Sequence, residues 1–341
     1  MTLPALDDLL ATARVVSLPL ATRFRGLDTR EALLLEGPEG WSEFSPFVEY
    51  DDAEAAVWLA AAIDFGWNRQ PSAQRTAIPV NATVPAVSAS EVGAVLARFP
   101  GCRTAKVKVA ERGQVLADDV ARVRAVRDAL GPEGRIRIDA NGAWNVDEAE
   151  HALHDLSPFD LEYAEQPCAS VAELAELRQR IGDWDIPIAA DESVRKASDP
   201  LAVARAGAAD LLVIKAQPLG GIRRALEIVA ATGLPAVVSS ALDTSIGLSM
   251  GALLAAAATD LDYDCGLGTA ALLAADVSEE PLLPEGGAIP VRRVTASPAL
   301  LERHAASAER RDWWLARLGR CRRLLDTDAG AGADAEAGAA G

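Results

Sequence analysis

Histidine is nearly absent from this chain of 341 residues, the only three being His151, His154 and His304. That scarcity leaves few candidates for a Ser-His-Asp triad or a histidine-bound zinc centre. His151 and His154 lie three apart among acids in EAEHALHDL, which reads as a solvated helix face. His304 stands in an arginine-rich helical stretch and receives no role. The four cysteines, Cys102, Cys168, Cys265 and Cys321, are scattered without a CxxC pair. Neither a disulfide framework nor a zinc ribbon is indicated, and reduced thiols in the cytoplasm are expected. No apolar stretch of about 18 residues runs free of charge, which argues against a membrane helix. The first residues, MTLPALDDLLATARVV, carry acids where a secretory signal would carry basic residues. Basic residues are also in deficit, 33 Lys and Arg against 50 Asp and Glu, for a net charge of −17. That balance repels nucleic acid and anionic lipid, so the expected partner is a small-molecule substrate, with oligomeric state left open.

Half of the residues are apolar, enough for a large core. From residue 79 to 268 one rhythm repeats: a short β-branched run, a polar or glycine break, then an amphipathic helical pattern. The expected strands are PVNATVPA (79–86), CRTAKVKVA (102–110), RIRIDAN (135–141), DLEYAEQPC (160–168), PIAADES (187–193), DLLVIKAQP (210–218), PAVVSSAL (235–242) and DYDCGLG (262–268). Eight in series at close to the roughly 31 residues per unit of a (β/α)₈ barrel favour a closed TIM-type barrel. An open doubly wound sheet is the alternative, but no GxGxxG follows the first strand. Residues 1–78 read as an α+β capping domain, 79–275 as the barrel, 276–327 as a C-terminal segment packing back on the cap, and 328–341 as a low-complexity disordered tail.

Three expected strands end in an acid, Asp139, Glu165 and Asp191, at equal intervals of 26 residues. In a barrel such ends converge on one mouth. Three carboxylates brought together repel unless a cation lies among them, and oxygen-only donors suit a hard ion, Mg²⁺ or Mn²⁺. Strand alternation in TAKVKVA places Lys106 and Lys108 on one face. Alone they could be charges guarding an edge strand, but a strand inside a closed barrel has no edge to guard. Lys215 interrupts LLVIKAQP in the same way across the mouth. Neighbouring cations depress a lysine's pKa, so a neutral lysine base is feasible.

Together these residues resemble the enolase superfamily, whose known chemistry pairs a lysine base with Mg²⁺. The resemblance implies a modified (β/α)₇β TIM-type barrel, of class α/β, with an α+β cap formed by the N-terminal segment and C-terminal helices. Lysines on the second and sixth strands, with no histidine base, resemble the muconate-lactonizing branch. Within it, the ordered set RFRG, GWSEFSPFVEY, TAKVKV, DANGAW, EQPC, ADES, KAQPLGG and SSALDTSIG is similar to the o-succinylbenzoate synthases of menaquinone biosynthesis. That likeness implies Asp139, Glu165 and Asp191 as Mg²⁺ ligands, Lys108 as acid and base, Lys106 tuning it, and Lys215 stabilising an anionic ring from the opposite face. Ser239, Ser240 and backbone near Gly266 would bind the succinyl arm, Arg25 would cover the mouth, and Asn141 would orient a metal ligand.

Two other functions compete. An N-acylamino acid racemase or dipeptide epimerase would use Lys108 and Lys215 as two bases, and Asp260, Asp262 and Asp264 in TDLDYD could hold a substrate ammonium. A non-catalytic, metal-holding scaffold barrel is the alternative from another class, which metal-dependent turnover would exclude.

Overall fold

The run ALLL in Leu27–Gly37 is apolar at every position because that strand is covered on both faces. In a computed structural model describing residues 3–196 and 199–339, Arg14–Phe24, Leu27–Gly37 and Gly40–Phe44 form an antiparallel meander. Leu33 and Leu35 point into a core with Trp58, Leu59, Trp314 and Leu318, while Ala32 and Leu34 join the larger core around the barrel. Helix Asp52–Trp67 starts at Asp51, whose side chain accepts from the Glu54 amide at 2.8 Å. On the meander's other flank, Glu31 accepts from Arg310 Nε at 2.8 Å and Nη2 at 2.6 Å, and from Trp314 Nε1 at 2.9 Å. Glu31→Ala would leave a buried indole N–H unpaired, at a cost of about 1–3 kcal/mol. A thermal melt should show a Tm several degrees lower; an unchanged Tm would mean that apolar contacts alone dock the last helix.

The barrel strands are Ala82–Val84, Thr104–Lys108, Arg135–Asp139, Leu161–Glu165, Ile188–Ala190, Leu211–Ile214 and Ala236–Val238, parallel and adjacent in chain order. The eighth position is reduced to two bridges, Val80 with Cys265 and Gly266 with Ser239. Asn81 N donates to Cys265 O at 3.0 Å and Gly266 N to Val238 O at 2.8 Å, which joins the two edges of the curled sheet. The open doubly wound sheet is thereby excluded. DYDCGLG is shorter as a strand than its sequence suggests. PVNATVPA is broken: Ala77–Pro79 pairs with Ala288–Pro290, and the barrel strand begins only at Ala82.

Period-two alternation sends Ala105 and Val107 outward to the helices and Lys106 and Lys108 inward. Thr104–Lys108 has a neighbour on each side, which removes the edge-strand reading. Tyr163, Ala189, Leu211, Val213 and Val237 cluster as an apolar interior, with Tyr263 packed against them. The other interior wall holds a buried arginine. Arg137 Nε donates to Glu162 at 2.5 Å, its Nη1 to Asn81 Oδ1 at 3.1 Å, and its guanidinium lies 4.8 Å from the Tyr163 ring centroid.

The C-terminal part touches both sides. Val277, Leu282, Ile289 and Val294 lie in the larger core, Arg293 Nη2 donates to the Phe65 carbonyl of the cap helix at 2.7 Å, Ala305 bridges Val16, and Trp314 packs with Phe44 and Trp58. The stretch expected as a disordered tail, 328–341, has helical backbone as far as Ala339, in keeping with its alanine content; 340–341 lie outside the described residues.

Candidate active site

Register alone assembles the charged centre. Lys108 is paired with Asp139 across the second and third strands, and Asp139 with Glu165 across the third and fourth. All three side chains therefore emerge at one level of the barrel's C-terminal end. Asp191 and Lys215 each follow the last residue of their strand, Ala190 and Ile214. Asp139, Glu165 and Asp191 are at most 1% exposed. Acids and lysines interleave: Lys106 Nζ lies 2.9 and 3.0 Å from the Glu165 oxygens and 3.2 Å from Asp139 Oδ2. Lys108 Nζ lies 2.5 Å from Asp139 Oδ2 and 2.7 Å from Asn141 Oδ1, while Lys215 pairs with Asp191.

Burial and neighbouring charge divide these groups. Burial pushes Glu165 up to about 7, helped by the Asp139 charge. Asp139 is also penalised by burial, but Lys108 and Lys106 overcome this and hold it well below the usual carboxylate range; Lys215 and Arg195 do the same for Asp191. The two second-strand lysines part company. Burial opposes the charge of Lys106, yet Glu165 and Asp139 raise its pKa. Burial pulls Lys108 below an ordinary lysine, Asp139 acting against the shift and the Lys106 charge with it.

The donor chemistry suits a hard divalent cation: three buried carboxylates on adjacent strands, with oxygen the only donor element. Glu165 raised toward neutrality marks a place where more positive charge would be welcome. Among the described residues no acidic trio is drawn into a ready coordination cage, because an ammonium group stands on each carboxylate. Asn141 adopts a left-handed φ of 50°, so that its amide N–H reaches Asp139 Oδ1 at 3.1 Å while its Nδ2 donates to Glu192 Oε1 at 3.2 Å.

Above this layer lies a narrow cavity, partly open to solvent. Lys106, Lys108, Lys215, Asp139 and Asn141 form its floor, and Ser239, Ser240 and Gly266 one wall. Ser240 Oγ donates to Gly266 O at 2.7 Å and lies 2.8 Å from Thr269 Oγ1. A Cβ on Gly266 would displace the Ser239 hydroxyl, so any larger residue there would disturb this wall. Arg25, at the tip of the first cap hairpin with φ 51°, stacks 4.2 Å from the Phe47 ring centroid and reaches Tyr50 Oη at 3.4 Å, at the roof.

The three aspartates of TDLDYD are absent from this lining. Asp264 is used at the opposite end of the barrel, where Thr104 Oγ1 donates to it at 2.6 Å and Arg135 Nη2 at 2.8 Å. Sequence reasoning missed Arg195, Tyr50, Phe24, Phe47 and Thr83, all in the lining. Arg195 had a signal: four residues beyond Asp191 on one helical turn, it donates to Asp191 Oδ1 at 3.1 Å and to Glu192 at 2.7 Å. Phe47 and Tyr50 stand in the GWSEFSPFVEY motif, but only docking of the cap brings them over the barrel.

The chain matches the family described as Enolase N-terminal domain-like over residues 15–66, and that described as Enolase C-terminal domain-like over 90–295. Among solved structures it is similar to muconate lactonizing enzyme from Pseudomonas fluorescens, with a TM-score of 0.74 at 20% identity over 86% of this chain and 98% of the other. Dipeptide epimerase from Enterococcus faecalis superposes with a TM-score of 0.67 at 20% identity, over 84% of this chain and 97% of that one. Identities this low establish the fold alone. The o-succinylbenzoate synthase of Mycolicibacterium smegmatis is 53% identical over 94% of this chain and 98% of its own length. That of Mycobacterium tuberculosis is 54% identical over 95% and 97%. With more than half of the positions shared from end to end, the chain belongs to the o-succinylbenzoate synthase family of the enolase superfamily.

Proposed function

We propose that the chain dehydrates 2-succinyl-6-hydroxy-2,4-cyclohexadiene-1-carboxylate to 2-succinylbenzoate, in the cytoplasm and in the service of menaquinone biosynthesis. The observation that carries this reading is the lysine arrangement: Lys108, its basicity lowered, and Lys215 stand in one cavity on non-adjacent strands, with the carboxylates between them. Asp139, Glu165 and Asp191 would hold Mg²⁺ or Mn²⁺, which when bound supplies positive charge opposite the substrate carboxylate as negative charge develops there. Neutral Lys108 Nζ takes the ring proton next to that carboxylate and becomes an ammonium. The electron pair left behind expels the ring hydroxyl, which leaves as water with the proton that Lys108 returns, and the ring becomes aromatic. Lys215, paired with Asp191, faces the anionic ring, and Lys106, fixed on Glu165, keeps a positive charge beside the base. Phe24, Phe47 and Trp58 exclude water from the ring.

Two-base racemisation of an N-acylamino acid or dipeptide is favoured by the same pair of lysines and disfavoured by the engagement of Asp264 elsewhere. Side-by-side kinetics separate the two readings. The cyclohexadiene is expected to give kcat/KM at least about 1,000-fold above any N-acylamino acid or dipeptide; the reverse order would make the chain a racemase. Ser240→Ala should raise KM about three- to tenfold with little change in kcat, because a hydrogen bond to the unreactive succinyl arm is felt equally in ground and transition states. A large fall in kcat at constant KM would instead place Ser240 at the reacting atoms.

A further inference from the structure

The wall of the cavity at Ser239–Leu242 is held in a conformation that its own sequence does not favour. Leu242 has φ 61°, a strained left-handed backbone that a branched side chain without local polar groups rarely adopts. What holds it comes from the cap. Arg30, on the second strand of the meander, donates from Nε to the Leu242 carbonyl at 3.1 Å and from Nη2 to the Ala241 carbonyl at 3.3 Å. Its Nη2 is anchored in turn on Ser45, carbonyl and hydroxyl both.

Beside it Glu43, fully buried, accepts at Oε2 from the Thr244 amide at 3.1 Å, the Thr244 hydroxyl at 2.5 Å and the Gly247 amide at 3.0 Å, at the first turn of helix Ser245–Ala257. Its Oε1 accepts from Ser45 Oγ at 2.5 Å. The approach is so close that a Cβ on Gly247 would lie 2.9 Å from Glu43 Cδ and 2.8 Å from Asp243 Cβ. Two side chains of the cap thus grip both ends of one barrel loop, and the strained residue is the one that Arg30 holds.

We infer that Arg30 and Glu43 are positioning residues, by which the cap sets the wall that presents Ser239, Ser240 and Leu242 to substrate. The inference rests on the synthase reading for what that wall binds, though not for the grip itself. Arg30 and Glu43 touch no reacting atom; they act through the backbone of Ala241–Gly247. Without the grip, Leu242 relaxes to an ordinary φ and the serines turn from the succinyl arm.

Arg30→Met should raise KM for the cyclohexadiene about tenfold with kcat within about threefold. A glycine at 242 adopts the left-handed backbone without strain, so in a Leu242→Gly background the same Arg30→Met change should raise KM by no more than about threefold. Glu43→Ala should raise KM likewise, and Arg30→Lys, which keeps the charge and can reach one carbonyl, should lie between wild type and Arg30→Met. Hydrogen exchange over residues 239–247 needs no turnover: amides there should exchange at least about tenfold faster in Arg30→Met and Glu43→Ala than in the wild type. Unchanged exchange, an unchanged KM, or an equal tenfold effect of Arg30→Met in both backgrounds would overturn the inference. A wild-type protein that does not aromatise the substrate would instead remove the synthase reading, and exchange would still decide whether the grip exists.

Discussion

Lys108→Ala is expected to lower kcat for dehydration by at least about a thousandfold, because proton removal and proton return both pass through its Nζ. On the proposed mechanism this side chain serves both steps. It stands at the barrel mouth beside Asp139 and Asn141, and burial together with the Lys106 charge lowers its basicity. Lys215→Arg makes the contrast. An arginine keeps the positive charge but is too basic to shuttle protons, so measurable dehydration should survive, reduced by the misfit of a bulkier group against Asp191. In deuterated water a two-base racemase would behave differently: each single variant would retain exchange of the α-proton on one enantiomer of an N-acylamino acid. Loss of dehydration in Lys108→Ala with survival in Lys215→Arg would establish an asymmetric pair.

The second large effect concerns the acids. Asp139→Asn and Asp191→Asn should each abolish turnover and weaken divalent-ion binding by at least about 100-fold, since altering even an outer partner of a ligand typically costs 10–100-fold. The Asp139 change has a further consequence, because Lys106 and Lys108 both pair with that carboxylate. Neutralising it leaves the two buried lysines with only Glu165 and Asn141 as partners, so the melting temperature of the variant should also fall. Calorimetry with Mg²⁺ reads the binding directly. Unchanged affinity in both variants would move the ion away from these carboxylates.

The charged centre was legible in the sequence because barrel geometry converts spacing into position. Equal intervals of 26 residues between Asp139, Glu165 and Asp191 place each at the same point of its βα unit. Alternation in TAKVKVA was enough to turn both lysines inward. Elements that depend on long-range docking were not legible. Phe47 and Tyr50 follow the cap's third strand, and only its seating on the barrel places them in the lining. Arg137 is buried inside the barrel because Glu162 and the Tyr163 ring of the next strand, together with Asn81 from the loop before the first barrel strand, receive it. The eighth strand was overcalled: only the isolated bridges of Cys265 with Val80 and Gly266 with Ser239 form there. Asp264 misled for a related reason: its spacing from the eighth strand suggested the mouth, but Arg135 and Thr104 hold it at the barrel's other end.

Lys108, with a divalent ion on the three carboxylates, is proposed to turn a hydroxycyclohexadiene into an aromatic ring. The most direct measurement mixes the protein with 2-succinyl-6-hydroxy-2,4-cyclohexadiene-1-carboxylate and Mg²⁺ and follows loss of the diene absorbance, with 2-succinylbenzoate identified in the quenched mixture. Stoichiometric aromatic product from the wild type, none after removal of the ion by a chelator, and none from Lys108→Ala is the predicted result. Undiminished product from Lys108→Ala, or no product from the wild type with Mg²⁺ or Mn²⁺ present, would contradict it.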